Sequence, residues 1–403
     1  MIRINLTDQT AYFRLRKEFL ERIAKYVDFD KADICCDSSE RTGKTEKAAE
    51  KLKVNFPALY HFLFNESGEL REEKLTLLLA GPDLPPQSFG GGRLAKSSMR
   101  EYLEEIIDSC GCVCTDEVAK NCCKEIFHYE KFVRDKEDAY WLLRKQNVRV
   151  CPYCNRIYTV TLPSKEELEK GEEFTASRAT LDHFYSQGDY PYLSVSLFNL
   201  IVSCYSCNLS KGSHQEQLVY PYDEEFGKEA VFRLIPELPE KPQESVANAL
   251  NYLHGDNERF YIKLMAKETT TLQKDISLEE RLSGIDDKGL QKRIINSIRI
   301  FHLEELYKEH KMEIMDVLRN RYYFDEHYVR TSLSPLIRKK MEKLNQAFDS
   351  EEMLYDIDQE DLEIMAKDML FFSRTRQAEW GKRPLAKLVS DILDQVSALE
   401  NSI

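Results

Sequence analysis

Two Cys-x-x-Cys pairs, Cys151 with Cys154 and Cys204 with Cys207, constrain this chain more than any other feature. Two such pairs make a closed tetrahedral zinc set, with Zn–S bonds of about 2.3 Å. The alternative is four buried, unliganded thiols. The gap between the pairs is longer than in a compact zinc ribbon, so the staple closes over a stretch that carries other chemistry. Asp182, His183 and Asn199 lie in that stretch, and Asn208 directly follows Cys207.

The chain has 403 residues, room for two or three packed units. At 42% hydrophobic it can bury a core, which excludes a disordered chain. A net charge of -13 argues against an overall basic coat. A nucleic-acid enzyme of this composition needs a local basic strip, a metal ion or a basic partner. The first residues have no apolar core of a signal peptide, and no run of about eighteen apolar residues occurs, so no membrane association is expected. Eleven cysteines without a secretion signal point to a reducing compartment, and a cytoplasmic, soluble protein is expected.

Three regions are expected. Residues 1–148 read as mostly helical, with helical spacing over 8–30 (Tyr12, Leu15, Phe19, Ile23, Val27), 46–65, 96–109 and 116–145. Residues 149–236 change character. VRVCPYCNRIYTV reads as a hairpin around a zinc knuckle, SRATLDHFY as a strand, LFNLIVS as an extended run, and a short helix opens at Asn208. VFRLI reads as an edge strand. Residues 237–403 read as helical from about 245, with the clearest amphipathic run over 297–324 and a last helix in RPLAKLVSDILDQVSAL. The fold class is therefore α+β: a small zinc-stapled module between helical flanks.

The residues in the stretch suggest hydrolysis. A neutral imidazole, His183, can take a proton from water near pH 7. An adjacent carboxylate, Asp182, can hold a hard metal ion. In a strand their side chains point to opposite faces, so serving one site requires local distortion. Asn199 can bridge backbone groups and fix the loop that carries His183, or be an ordinary turn asparagine. The Asn208 side-chain oxygen can reach an ion held by Asp182. Lys211, three residues on and on the same helical face, can meet a phosphate or be a solvated lysine.

Together CPYC, LDHF and FNLIVSCYSCNLSKG resemble the HNH endonuclease family, over about 65 residues. The resemblance implies a ββα-metal fold with Asp182 and Asn208 as ligands of a catalytic Mg²⁺ or Mn²⁺, His183 as general base, and Asn199 as the amide that orients it. Zinc stays structural. The family's last motif position is asparagine here, which favours a magnesium-type site. His214 ranks below Asn208 as a substitute ligand or phosphate contact. The implied activity is cleavage of nucleic acid, with DNA ranked ahead of RNA though the sequence does not separate them, leaving 5′-phosphate and 3′-hydroxyl. An RNase or a non-catalytic zinc scaffold are the alternatives. More loosely, DYPYLSVSLFNLIVSCYSCNLSKGS and YPYDEEFG resemble HNH proteins of bacterial antiphage systems such as Septu. That implies an ATPase partner, docked on the helical flanks.

Other signals carry less. Gly43-Lys44-Thr45 lacks the first glycine of a P-loop, since Ser38 stands there. Gly90, Gly91 and Gly92 mark a break. Cys110, Cys112, Cys114, Cys122 and Cys123, with His128 near, form a second cluster whose irregular spacing leaves metal binding and plain burial both open. Cys35 and Cys36 read as core or surface thiols.

Overall fold

The computed structural model describes residues 1–4, 9–30, 47–89, 96–111, 113–134, 136–161, 179–214, 217–237, 254–255, 258–269, 275–348, 358–371, 374–377 and 380–400. Cys35, Cys36, Cys112, the Gly43-Lys44-Thr45 segment and Gly90 to Gly92 lie outside them. The fold is mixed α and β, and helices dominate. Among the described residues, strands form two antiparallel pairs, and no helix is long and apolar enough to cross a membrane. The chain divides into one unit of Met1–Tyr153, Ile157–Glu216 and Tyr220–Glu225, and another of Cys154–Arg156, Gln217–Val219 and Phe226–Ile403.

In the first unit the helix Gln9–Ile23 buries Tyr12, Leu15, Phe19 and Ile23, one apolar stripe at three- and four-residue spacing. The stretch expected as one helix over 46–65 is two, Ala48–Asn55 and Pro57–Leu63. Pro57 disfavours helical geometry at the residue before it, and Phe56 leaves the helical region at φ -142° and ψ 65°. The 116–145 run comprises Glu117–Ile126, Tyr129–Arg134 and Lys136–Lys145. Aromatic rings fill the core. Tyr12 stacks on Phe198, and the buried Tyr220 and Tyr222 hydroxyls donate to the carbonyls of Phe198 and Leu200 at 2.6 and 3.2 Å. Gly81, at φ 78°, ends the Glu72–Ala80 helix where a Cβ would meet the Phe198 ring at 3.0 Å.

Two strands and a helix follow one another around the second Cys-x-x-Cys. Strand β1 (Thr180–His183) pairs with β2 (Leu200–Ser203), with Asp182 opposite Ile201 and His183 opposite Leu200. Cys204 caps the helix Tyr205–Lys211, which ends at Gly212 with φ 48°. The helix starts at Tyr205, not Asn208, so Cys207 and Asn208 lie within it. The first Cys-x-x-Cys sits on a loop. Its base is closed by the Cys151 amide on the Ile157 carbonyl and the Thr159 amide on the Arg149 carbonyl, both at 2.9 Å.

The second unit contains β3 (Ala230–Pro236) paired with β4 (Phe260–Ala266), from Ala230 opposite Ala266 to Pro236 opposite Phe260. The expectation of helix from about residue 245 fails at β4. There Phe260, Ile262 and Leu264 are buried while Tyr261 and Lys263 are half-buried, a period of two. A region boundary at 236 would cut through this pair. Two strands alone are marginal, and side chains complete their outer edges. Asp391 and Gln395, on the helix Ala386–Glu400, accept from the Phe232 and Leu234 amides at 2.8 Å. Glu304 accepts from the Leu264 amide at 2.9 Å. The 297–324 run falls on the end of Lys288–Ile300, on Leu303–Lys308 and on Lys311–Tyr323, and His302, left-handed at φ 48°, separates the first two.

Candidate functional site

The four sulfurs of Cys151, Cys154, Cys204 and Cys207 lie within 4.8 Å of one another and all four residues are buried. A ZnS₄ tetrahedron with bonds of about 2.3 Å has edges of about 3.8 Å, so the set can hold zinc with small adjustment. The surroundings hold the first knuckle in place. The Tyr307 hydroxyl donates to the Cys154 carbonyl at 2.6 Å. Asn155, left-handed at φ 51°, donates to the Trp380 carbonyl at 2.8 Å and accepts from the Lys387 amide at 3.1 Å. Among the described residues these four cysteines form the one metal-holding group of His, Cys, Asp and Glu side chains. Cys110, Cys114, Cys122 and Cys123 are buried and lie outside that group. Burial pushes the Cys110 thiol up to about 12.

Asp182 and His183 do not share one site. The register of β1 is regular, so their side chains take opposite faces. Asp182 is 2% exposed. Its Oδ2 accepts from the Tyr153 hydroxyl at 2.6 Å and its Oδ1 from the Lys211 ammonium at 3.2 Å. Burial pushes the Asp182 carboxyl up, while Lys211 and the Tyr153 hydrogen bond hold it down. Lys211 is 1% exposed and also donates to the His183 carbonyl.

Two expectations are corrected here. Lys211 does not face solvent phosphate, because its charge is sealed in and neutralised internally. Asp182 is not an open metal ligand, because an ammonium stands at Oδ1 and a phenol at Oδ2.

His183 sits at the end of β1. Its Nε2 lies 2.9 Å from the Ser194 carbonyl, so Nε2 carries the hydrogen and Nδ1 the lone pair. The Tyr129 ring packs against it at 4.3 Å. Burial lowers its pKa to about 4, the Ser194 hydrogen bond raises it, and the nearby Lys211 charge lowers it. The imidazole is therefore neutral at pH 7. Among the described residues Nδ1 has no hydrogen bond.

Asn199 is 0% exposed. Its Oδ1 accepts from the Tyr185 amide at 2.7 Å, and its Nδ2 donates to the Tyr185 and Leu193 carbonyls at 3.1 and 3.0 Å. One amide thus closes the loop between His183 and Ser194, the carbonyl that orients the imidazole. Asn208 is half-buried on the helix packed against β1, and its side chain makes no hydrogen bond among the described residues. His214 is exposed beyond the helix.

Tyr153, Ser194 and Tyr129 were missed in the sequence. Tyr153 was the most visible of them, lying inside the first Cys-x-x-Cys; Ser194 acts through its backbone, which leaves no residue signature. A cleft of about 760 Å³ also opens beside Tyr129, lined among others by Lys124, His128, Lys131 and Gln187. Comparison of the chain with protein-family models, with curated proteins and with solved structures finds no match.

Proposed function

We propose that this protein hydrolyses nucleic-acid phosphodiester bonds, with His183 as general base. The observation that carries the reading is the geometry of the imidazole: Nε2 is held by the Ser194 carbonyl, and Nδ1 has no hydrogen bond among the described residues. Nδ1 takes a proton from water, the water oxygen attacks phosphorus, and the P–O3′ bond breaks. The leaving O3′ takes a proton from solvent water to give the 3′-hydroxyl, the other product carries the 5′-phosphate, and the imidazolium returns its proton to solvent. Asn199 acts as a positioning residue by fixing the loop that carries the Ser194 carbonyl.

Zinc, held by Cys151, Cys154, Cys204 and Cys207, would cross-link the first knuckle to the start of the Tyr205–Lys211 helix and take no part in the reaction. In this reading Asp182 serves the buried pair with Lys211 and the Tyr153 hydroxyl and not a magnesium or manganese ion. The antiphage setting and the ATPase partner rest on the sequence resemblance alone.

The Asp182–Lys211 pair favours a second reading, a zinc-stapled binding module without chemistry, since a buried ion pair suits a structural role. Incubation with end-labelled DNA and RNA separates the two. The hydrolase reading expects fragments bearing 5′-phosphate, lost in His183→Ala. Binding with no cleavage, with or without added Mg²⁺ or Mn²⁺, supports the module.

A further inference from the structure

The overall charge of -13 leaves open how such a chain would engage a polyanion. Lys124, on the Glu117–Ile126 helix, and Lys131, on the Tyr129–Arg134 helix, line the cleft beside Tyr129. Both are exposed. Among the described residues neither ammonium has a carboxylate partner; Lys131 only approaches the Tyr26 ring, at 6.0 Å. Two acids, Asp28 and Glu130, also lie on the wall. Glu130 pairs with Arg134 at 3.1 Å, and Asp28 accepts from the Asp30 amide at 2.9 Å. The wall thus carries three cations, Lys124, Lys131 and Arg134, against two acids, a cationic excess facing one cavity.

The cavity also has an aromatic side. Tyr129 is half-buried, forms part of the wall, and touches the His183 ring at 4.3 Å. Gln187, four residues beyond His183, lies on the wall too. The cleft encloses about 760 Å³, within the range of a small-ligand pocket. Cations for the backbone beside a ring on which a base can stack are the two components of single-strand recognition.

We infer that this cleft binds the phosphodiester backbone of a single nucleic-acid strand, with Lys124 and Lys131 on phosphates and Tyr129 as the stacking platform. The choice of a nucleic acid as the polyanion rests on the hydrolase reading, but the test reads binding and not cleavage. It assigns substrate engagement to the helical region before the first Cys-x-x-Cys, in place of Lys211 and His214.

The test is fluorescence anisotropy on the full chain with labelled single-stranded DNA, single-stranded RNA and duplex DNA of one length, across salt concentrations. The Lys124→Glu/Lys131→Glu variant should bind a single strand at least tenfold more weakly. Its slope of log affinity against log salt should be shallower by about 1.4, the share of two phosphate contacts on a single strand. A Lys339→Glu/Lys340→Glu control reverses two exposed charges on the Ser334–Phe348 helix and should bind as the wild type does. The DNA and RNA arms identify which strand is preferred. Cleavage of the same strands by the wild type is read separately, so a failure of the hydrolase reading shows as wild-type binding without cleavage. Wild-type affinity in the Lys124/Lys131 variant, an equal loss in the control, preference for duplex, or binding of poly-glutamate with none of oligonucleotide would each overturn the inference.

Discussion

The Lys211 ammonium lies 3.2 Å from Asp182 Oδ1, with both side chains sealed from solvent. Breaking a buried pair from one side leaves an uncompensated charge, typically at a cost of about 3–5 kcal/mol. Asp182→Ala should therefore destabilise the protein by that order in urea unfolding. Asp182→Asn/Lys211→Met removes both charges and keeps an acceptor for Tyr153, so it should lose less than the two single changes summed. Wild-type stability in Asp182→Ala would mean the carboxylate is free, and a metal-ligand role for it would return.

Zinc content gives a second prediction. The purified chain should carry at least one zinc, measured by elemental analysis. Cys204→Ser should lose it and lower the melting temperature, because a metal bound only by the folded state supplies folding free energy. Undiminished zinc in a Cys151→Ser/Cys204→Ser variant would place the metal elsewhere.

His183 should remain neutral in mild acid. Its folded pKa of about 4 lies below the ordinary imidazole value near 6.5. Between these values the unfolded chain holds one more proton than the folded chain, so stability rises with pH across the window. The contribution is complete above about pH 6.5 and is lost as pH falls toward 4, to a total on the order of 3 kcal/mol. His183→Asn should remove that part of the pH dependence, and taking the difference from wild type cancels any shared loss of zinc. Nitrogen NMR at pH 5.5 should show the Nε2–H tautomer for His183; an imidazolium signal there would contradict the assignment.

Asn199→Ala removes three hydrogen bonds to the backbone of Tyr185 and Leu193. Unsatisfied buried groups cost about 1–3 kcal/mol each before relaxation, so a loss of several kcal/mol is expected. Hydrogen exchange should report it first at the Tyr185 amide. Unchanged protection at that amide would remove Asn199 from the positioning role.

The paired cysteines were legible in the sequence, because a ligand set at fixed spacing reports its own geometry. So was the strand ending at His183, with its β-branched and apolar neighbours. The roles of Asp182 and Lys211 were not. A carboxylate beside a histidine reads the same whether it faces a metal ion or a buried ammonium, and that difference lies in tertiary contacts from Tyr153 and Lys211. Strand β4 was missed although its alternation was present, because the surrounding helical pattern was extended across it. The run over 297–324 hides its break at His302, because a left-handed histidine carries no glycine to mark it.

The most direct test of the account is the ratio of single-turnover cleavage rates between wild type and His183→Ala on the same labelled strand. Both proteins must be matched for zinc content and melting temperature, with any required partner present. General-base catalysis typically contributes about 10²–10⁴-fold, and the account predicts a loss within that range. Equal rates in the two proteins would contradict it and remove His183 from the chemistry.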